Sequence, residues 1–210
     1  MSEIEIRDIC RRDYKKIYPM TAEGMHFNWY TDSRFLQNLY ARYFFSMELN
    51  RATRVYGAYV DGRFVGALLA CMKDETPSHR GFLRGCLVHL LDRLQTFAAG
   101  SGGDDYDAAN QRMLRAFCKE HTPDGEITFL ATDPHSGVKG VGTALIAALA
   151  KDVPGKLVYL YTDDACNFGF YEHCGFTLAD REDIVLDLKE RQVPLKCMLY
   201  AKRMGEHPSH

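Results

Sequence analysis

The chain has 210 residues, 46% of them hydrophobic, enough for one α/β domain with a sizeable core and cramped for two. A formal net charge of −2 offers no basic field for nucleic acid, and no apolar run approaches the roughly 20 residues of a membrane span. Seven cysteines, odd in number and without a CxxC pair, argue against a disulfide framework or a zinc site; with the charged start MSEIEIRDICRRD they fit a reduced, cytoplasmic compartment.

Glu3–Ile9 alternates charged and apolar residues, the period of a half-buried strand. Asp13 is placed to cap a short helix to about Tyr18, and Thr21 marks a second start near Met25. After Ser33, another capping residue, Leu36, Leu39, Tyr40, Tyr43, Phe44 and Met47 recur at helical steps, which predicts an amphipathic helix. Arg54–Val60 and Arg63–Met72 are strand-like and flank Asp61-Gly62, the dipeptide suited to a two-residue hairpin turn.

Residues 73–125 are too long for a simple connection. Their apolar spacing predicts a helix over about Phe82–Ala98, a flexible break at GSGGDD, and a helix over Asp107–His121 with Met113, Leu114 and Phe117 inward. This is a helical insertion that covers a sheet face or overhangs a substrate groove.

Glu126–Thr132 then alternates as a strand, Asp133–Gly142 carries turn chemistry with three glycines, and Val141, Leu145 and Leu149 form the apolar stripe of an Ala-rich helix. Strand, glycine loop and helix in that order bring free backbone N–H groups to the positive end of a helix, an arrangement suited to phosphate. Leu157–Thr162 reads as a buried strand, and Asp163 or Asp164 as the cap of a short helix through about His173 with a left-handed stop at Gly175. Phe176–Leu188 and Leu195–Lys202 are the closing strands, and residues 205–210 are expected to be a disordered tail.

Two common phosphate loops are excluded. A dinucleotide fingerprint starting at Gly140 meets Leu145 where its third glycine belongs, and a Walker loop starting at Gly137 meets Thr143 where its lysine belongs. Gly137-Val138-Lys139-Gly140-Val141-Gly142 instead resembles the coenzyme A pyrophosphate loop of the GNAT superfamily of N-acetyltransferases, Gln/Arg-x-x-Gly-x-Gly/Ala, with glycine at the first position. CNFGFYEHCGF (166–176) resembles the superfamily's helix ending in Tyr-Glu-x-x-Gly-Phe; the usual asparagine position falls on Asp164, while the asparagine present is Asn167.

The resemblance spans nearly the whole chain. It implies a GNAT-like (acyl-CoA N-acyltransferase) α/β fold, with a mixed sheet of about seven strands flanked by helices, as a single domain over residues 1–204. It implies acetyl-CoA as cofactor, with Gly137, Val138, Lys139, Gly140, Val141, Gly142 and Thr143 at the pyrophosphate. Main-chain groups of Leu130, Ala131 and Thr132, with Asn167, would meet the pantetheine. Tyr171 is implied as general acid and Glu126 as general base, with Asp133 and His135 as rivals for the base; His26 and His173 read as structural. The acceptor would be a primary amine of a small molecule or a protein. Phe27, Trp29, Tyr30, Tyr40 and Tyr43 are candidates for its pocket wall, and Glu23, Asp32 and Glu48 for its charge partner; no nucleic acid or membrane partner is expected, and a homodimer is compatible. An acyl-cysteine route through Cys166 or Cys174, a silent acyl-CoA sensor and an interaction protein on the same fold are the competing readings.

Overall fold

A computed structural model of the protein describes residues 3–79, 102–188 and 191–205, with the backbone alone at 102–104. The helix expected over Phe82–Ala98, the start of the expected break and the tail beyond Gly205 lie outside the described residues. In chain order the elements are β1 (Glu5–Arg7), α1 (Tyr14–Gly24), α2 (Arg34–Arg51), β2 (Arg54–Val60), β3 (Arg63–Met72), α3 (Gly102–Phe117), β4 (Gly125–Thr132), α4 (Val141–Asp152), β5 (Leu157–Asp163), α5 (Gly169–His173), β6 (Thr177–Leu188) and β7 (Arg191–Arg203). The strands take the order β1-β2-β3-β4-β5-β7-β6, with β4–β5 parallel and β1–β2, β2–β3, β5–β7 and β6–β7 antiparallel. This is the mixed seven-stranded sheet that the sequence leads one to expect. No helix among the described residues is long and apolar enough to cross a membrane.

The chain divides into two compact units, Met1–Asp92 with Ile127–Asp152, and Arg93–Glu126 with Val153–His210. In the first, β2 and β3 have the bounds read from the sequence, and Asp61 and Gly62 have φ of 49° and 74°, the positive pair that a two-residue hairpin turn requires. β1 is shorter than the expected Glu3–Ile9, because its ladder to β2 ends at Arg7↔Gly57 and Ile9 turns into the core. α1 runs on through Pro19 to Gly24, so the second helix start expected near Met25 is replaced by a 3-10 turn at Phe27–Trp29. Asp13 sits at the N-cap of α1 without a capping bond; its buried carboxylate instead takes Lys16 Nζ at 2.8 Å and Tyr59 Oη at 3.1 Å.

Ser33 caps α2 as expected, its Oγ accepting from Leu36 N. The inward stripe of α2 is offset from the predicted one: Ala41, Phe45 and Leu49 are deepest, while Leu36 is exposed and Phe44 and Met47 are half-buried. Phe45 wins because it meets Tyr14 and Phe129 edge-on, at 5.5 and 5.7 Å between ring centres. α4 packs on β2 and β3 through Val141, Leu145 and Leu149, the predicted stripe. Complete burial of Leu145 and Leu149 contributes about 1.5–3 kcal/mol each.

In the second unit, α3 starts earlier than Asp107 and ends earlier than His121, so Gly102–Asp105 is helix rather than a break. Asp105 and Asp107 near its N-terminus suit the helix dipole, which offsets the weak propensity of the glycines. Met113 and Phe117 are buried as predicted, with Leu114 half-buried, and α3 lies against β6 and β7. Arg112 forks onto Glu182, with Nε at 2.9 Å and 3.1 Å from the two oxygens and a further contact from Nη2. β7 begins at Arg191 rather than Leu195; Pro194 is tolerated because β5 pairs with β7 only from Cys197 onward, leaving one edge of β7 without a ladder there.

Candidate active site

In the first unit, β4 ends at Thr132 and the next residues form a self-bonded turn. Asp133 N donates to Val65 O of β3 (2.8 Å), His135 N donates to Asp133 Oδ1 (2.9 Å), and Ser136 Oγ donates to Asp133 O (2.8 Å). Asp133 therefore organises the loop, and His135 is exposed. Gly137 and Gly140 follow with φ of 69° and 80°, conformations that side chains resist, and a Cβ at either would meet nothing within 4 Å. The loop surface over both glycines is thus open. The first α4 bond runs from Ala144 N to Gly140 O (2.9 Å), so the amides of Val141 and Gly142 precede the helix ladder. Val138 N is turned to Ser136 Oγ at 3.2 Å and is engaged inside the loop.

What seats this loop is Gly66 on β3. A Cβ there would stand 2.9 Å from Val141 Cγ1 and 3.0 Å from Ala131 O, so β3 approaches the end of β4 and the start of α4 as closely as backbone permits. Leu130 and Ala131 are half-buried and Thr132 exposed. Within the second unit the β4–β5 ladder pairs Gly125↔Val158 and Glu126↔Tyr159.

In the second unit, Glu126 is half-buried, and Tyr159 Oη donates to its Oε2 at 3.5 Å. β5 ends at Asp163, whose Oδ1 accepts from Ala165 N (3.0 Å) and Cys166 N (3.2 Å). Asp163 thus caps a turn over the following residues, and α5 starts only at Gly169, later than expected; Asp164 instead accepts from Lys196 N (2.9 Å). Asn167 lies in that turn, its O accepting from Phe170 N (3.1 Å). Gly175 closes α5 with φ of 81°, the expected left-handed stop.

Tyr171 stands on α5 with its ring edge-on to Phe170 and Phe176 and tilted against Tyr200. Its hydroxyl makes no hydrogen bond among the described residues. Burial pushes the phenol well above its ordinary range, and the neighbouring Cys166, Cys174 and Asp163 push it further. The direction of this shift favours the protonated phenol. Cys166 is pushed up to about 12 by burial and then by Asp163, the direction that disfavours a nucleophilic thiolate there.

The profile of the acetyltransferase (GNAT) family matches residues 98–176, the stretch that contains the loop, α4 and Tyr171. That stretch is similar to the acetyltransferase (GNAT) family. Solved structures show the same fold at low identity. The histone acetyltransferase HPA2 and related acetyltransferase from Corynebacterium glutamicum is 16% identical over 100% of both chains, with a TM-score of 0.56. A Drosophila melanogaster polyamine N-acetyltransferase that forms N-acetylagmatine is 15% identical over 96% of this chain and 100% of its own, with a TM-score of 0.55. The yncA protein of Salmonella typhimurium, solved with acetyl-CoA, is 14% identical over 98% of this chain and 96% of its own, with a TM-score of 0.53. No curated protein matches by sequence.

Several acceptor-side expectations change. Glu48 is buried and bonded to Arg51 (2.8 Å), so it is not open to an amine, whereas Glu23 and Asp32 are exposed. Tyr43 is core, Phe27 packs edge-on to Tyr40 and Phe44, and His26 stacks on Trp29 at 4.6 Å. An open cleft of about 710 Å³ is lined by Phe117, His121, Leu157, Thr177 and Lys202 among others. None of the residues read as catalytic lines it, so residue chemistry and not cleft size defines the candidate site. Sequence reasoning missed Tyr106, whose hydroxyl donates to Asp163 Oδ2 at 3.3 Å, and Asn110 one turn along α3. The available signal was a tyrosine and an asparagine at a four-residue step, in line with Met113 and Phe117.

Proposed function

We propose that this chain transfers the acetyl group of acetyl-CoA to a primary amine by direct attack. The observation that carries the reading is the open loop of left-handed glycines between β4 and α4. A pyrophosphate needs closely spaced N–H donors with no side chain in the way, and a helix start supplies positive partial charge as well. Gly137 and Gly140 leave that space, exposed Lys139 adds a full charge, and the amides of Gly140, Val141, Gly142 and Thr143 are the donors assigned to it. Val138 contributes backbone shape, since its N–H is used inside the loop. The main chain of Leu130, Ala131 and Thr132, at the end of β4, is assigned to the pantetheine together with Asn167.

Bound acetyl-CoA supplies the thioester carbonyl, where the C–N bond forms as the C–S bond breaks. Glu126 accepts the proton that the amine gives up, and Tyr171 donates its phenolic proton toward the departing sulfur. Raising the phenol keeps it protonated but weakens it as an acid, so it acts mainly by hydrogen-bonding the developing thiolate.

A screen of amines and peptides for thiol release from acetyl-CoA, with the product weighed by mass spectrometry, tests the reading. An amine gaining one acetyl group is the expected result. Stabilisation by acetyl-CoA with no thiol release across the panel would favour a sensor instead. A Glu126→Gln variant that keeps the acidic limb of the wild-type pH–rate profile removes Glu126 from the base role.

A further inference from the structure

The inward face of α3 is apolar at Ala109, Met113 and Phe117, but Asn110 interrupts it. Asn110 is only 9% exposed, and its Oδ1 has no hydrogen-bond partner among the described residues. Buried amides are nearly always paired, so an unpaired one on a helix face is an acceptor awaiting a donor. One turn earlier, Tyr106 reaches across to Asp163 Oδ2, and residues four apart on a helix stand side by side. Asp163 is held from its other side by the amides of Ala165 and Cys166, and the Cys166 thiol bonds it too, which fixes its carboxylate. The Tyr171 hydroxyl, in the field of the same carboxylate, is also without a partner among the described residues. A fixed anion, a buried orphan carbonyl and an unbonded phenol thus belong to one unit, and α3, the inserted helix, delivers two of the side chains.

We propose that Asp163, Tyr106 and Asn110 form an acceptor subsite for a small cationic amine that carries a second N–H donor. The ammonium is drawn to Asp163, Tyr106 holds that carboxylate in place, and Asn110 Oδ1 accepts from the second donor. The inference rests on the amine-acetylating reading and names the substrate class for it. It gives the inserted helix a role in specificity, where Glu23 and Asp32 offer only exposed surface carboxylates.

Equilibrium binding of diaminobutane and of butylamine to the full chain tests it without acetyl-CoA. Wild type is expected to bind diaminobutane more tightly than butylamine. Asp163→Asn keeps an oxygen for Ala165 N and Cys166 N but loses the charge, and weakens both amines by about 10- to 100-fold. Asn110→Ala weakens diaminobutane by about 3- to 10-fold and leaves butylamine unchanged. The proposal is overturned if wild type binds neither amine or does not distinguish them, or if Asp163→Asn binds as wild type does. An Asn110→Leu variant that melts higher with unchanged diaminobutane binding also overturns it, since Asn110 would then be only an unsatisfied core polar group. Thiol release with other amines but no diamine binding would sink the subsite alone; diamine binding with no thiol release from any amine would sink the transferase reading alone.

Discussion

Tyr171→Phe should separate catalysis from stability in opposite directions. The substitution keeps the ring contacts to Phe170, Phe176 and Tyr200 and removes one oxygen. That oxygen makes no hydrogen bond among the described residues and is strongly desolvated, so its removal breaks no internal bond. An unpaired buried polar group costs about 1–3 kcal/mol, and Tyr171 is only half-buried, so a gain of up to about 1 kcal/mol is expected. For a chain of this size that is a melting temperature higher by roughly 2–4 °C. Turnover should fall by about 100-fold or more, the lower range for a positioned proton donor and equivalent to about 2.7 kcal/mol of barrier. Coenzyme A affinity should not change. Because the phenol is held above its ordinary range, the wild-type kcat profile should show no basic limb from Tyr171 below pH about 10. Steady-state thiol release, calorimetric titration with coenzyme A and a thermal melt measure all of these. Turnover equal to wild type refutes the acid assignment, and a melting temperature lowered by several degrees refutes the claim that the hydroxyl has no structural partner.

Gly66→Ala forces a Cβ against Val141 Cγ1 and the backbone oxygen of Ala131, and should cost about 1–3 kcal/mol while weakening coenzyme A binding, since both displaced groups seat the loop; an unshifted melt and titration would contradict it. Asp13→Ala strips Lys16 and Tyr59 of their shared partner inside the first unit and should lower stability by about 2–3 kcal/mol in a denaturant titration. Burial alone would raise Asp13, but hydrogen bonds from Lys16 and Tyr59 hold it below the ordinary carboxylate value; its stabilisation is therefore present above pH about 4 and lost as pH falls through the folded value, a limb the variant should lack. Cys166→Ser should leave turnover near wild type, because the thiol is neutral at working pH; loss of activity with a trapped acyl group on the wild-type cysteine would reverse that conclusion. Tyr59 and Tyr200 are each pushed up to about 12, first by burial, so the unfolded chain ionises before the folded one; stability should hold to pH about 10 and decline as pH rises toward 12, seen in denaturant midpoints across that range.

Much of the fold was readable because its signals are local. The β2–β3 hairpin, the Ser33 cap, the Val141–Leu145–Leu149 stripe and the stop at Gly175 each follow from residues a few positions apart. The errors arose where distant partners override local preference. α3 begins at weak helix formers in an element whose Tyr106 is held by Asp163, and α2 rotates its inward stripe to Phe45 because Phe129 lies there.

The sequence by itself determined the order of elements, the glycine loop and the position of Tyr171, since period and turn chemistry are written between near neighbours. Only the tertiary structure decided that Glu48 is tied to Arg51, that the Tyr171 hydroxyl is unbonded among the described residues, and that Tyr106 meets Asp163 across 57 positions of chain. A contact between residues so far apart leaves no periodic trace, because whether it forms depends on how the intervening strands and helices pack.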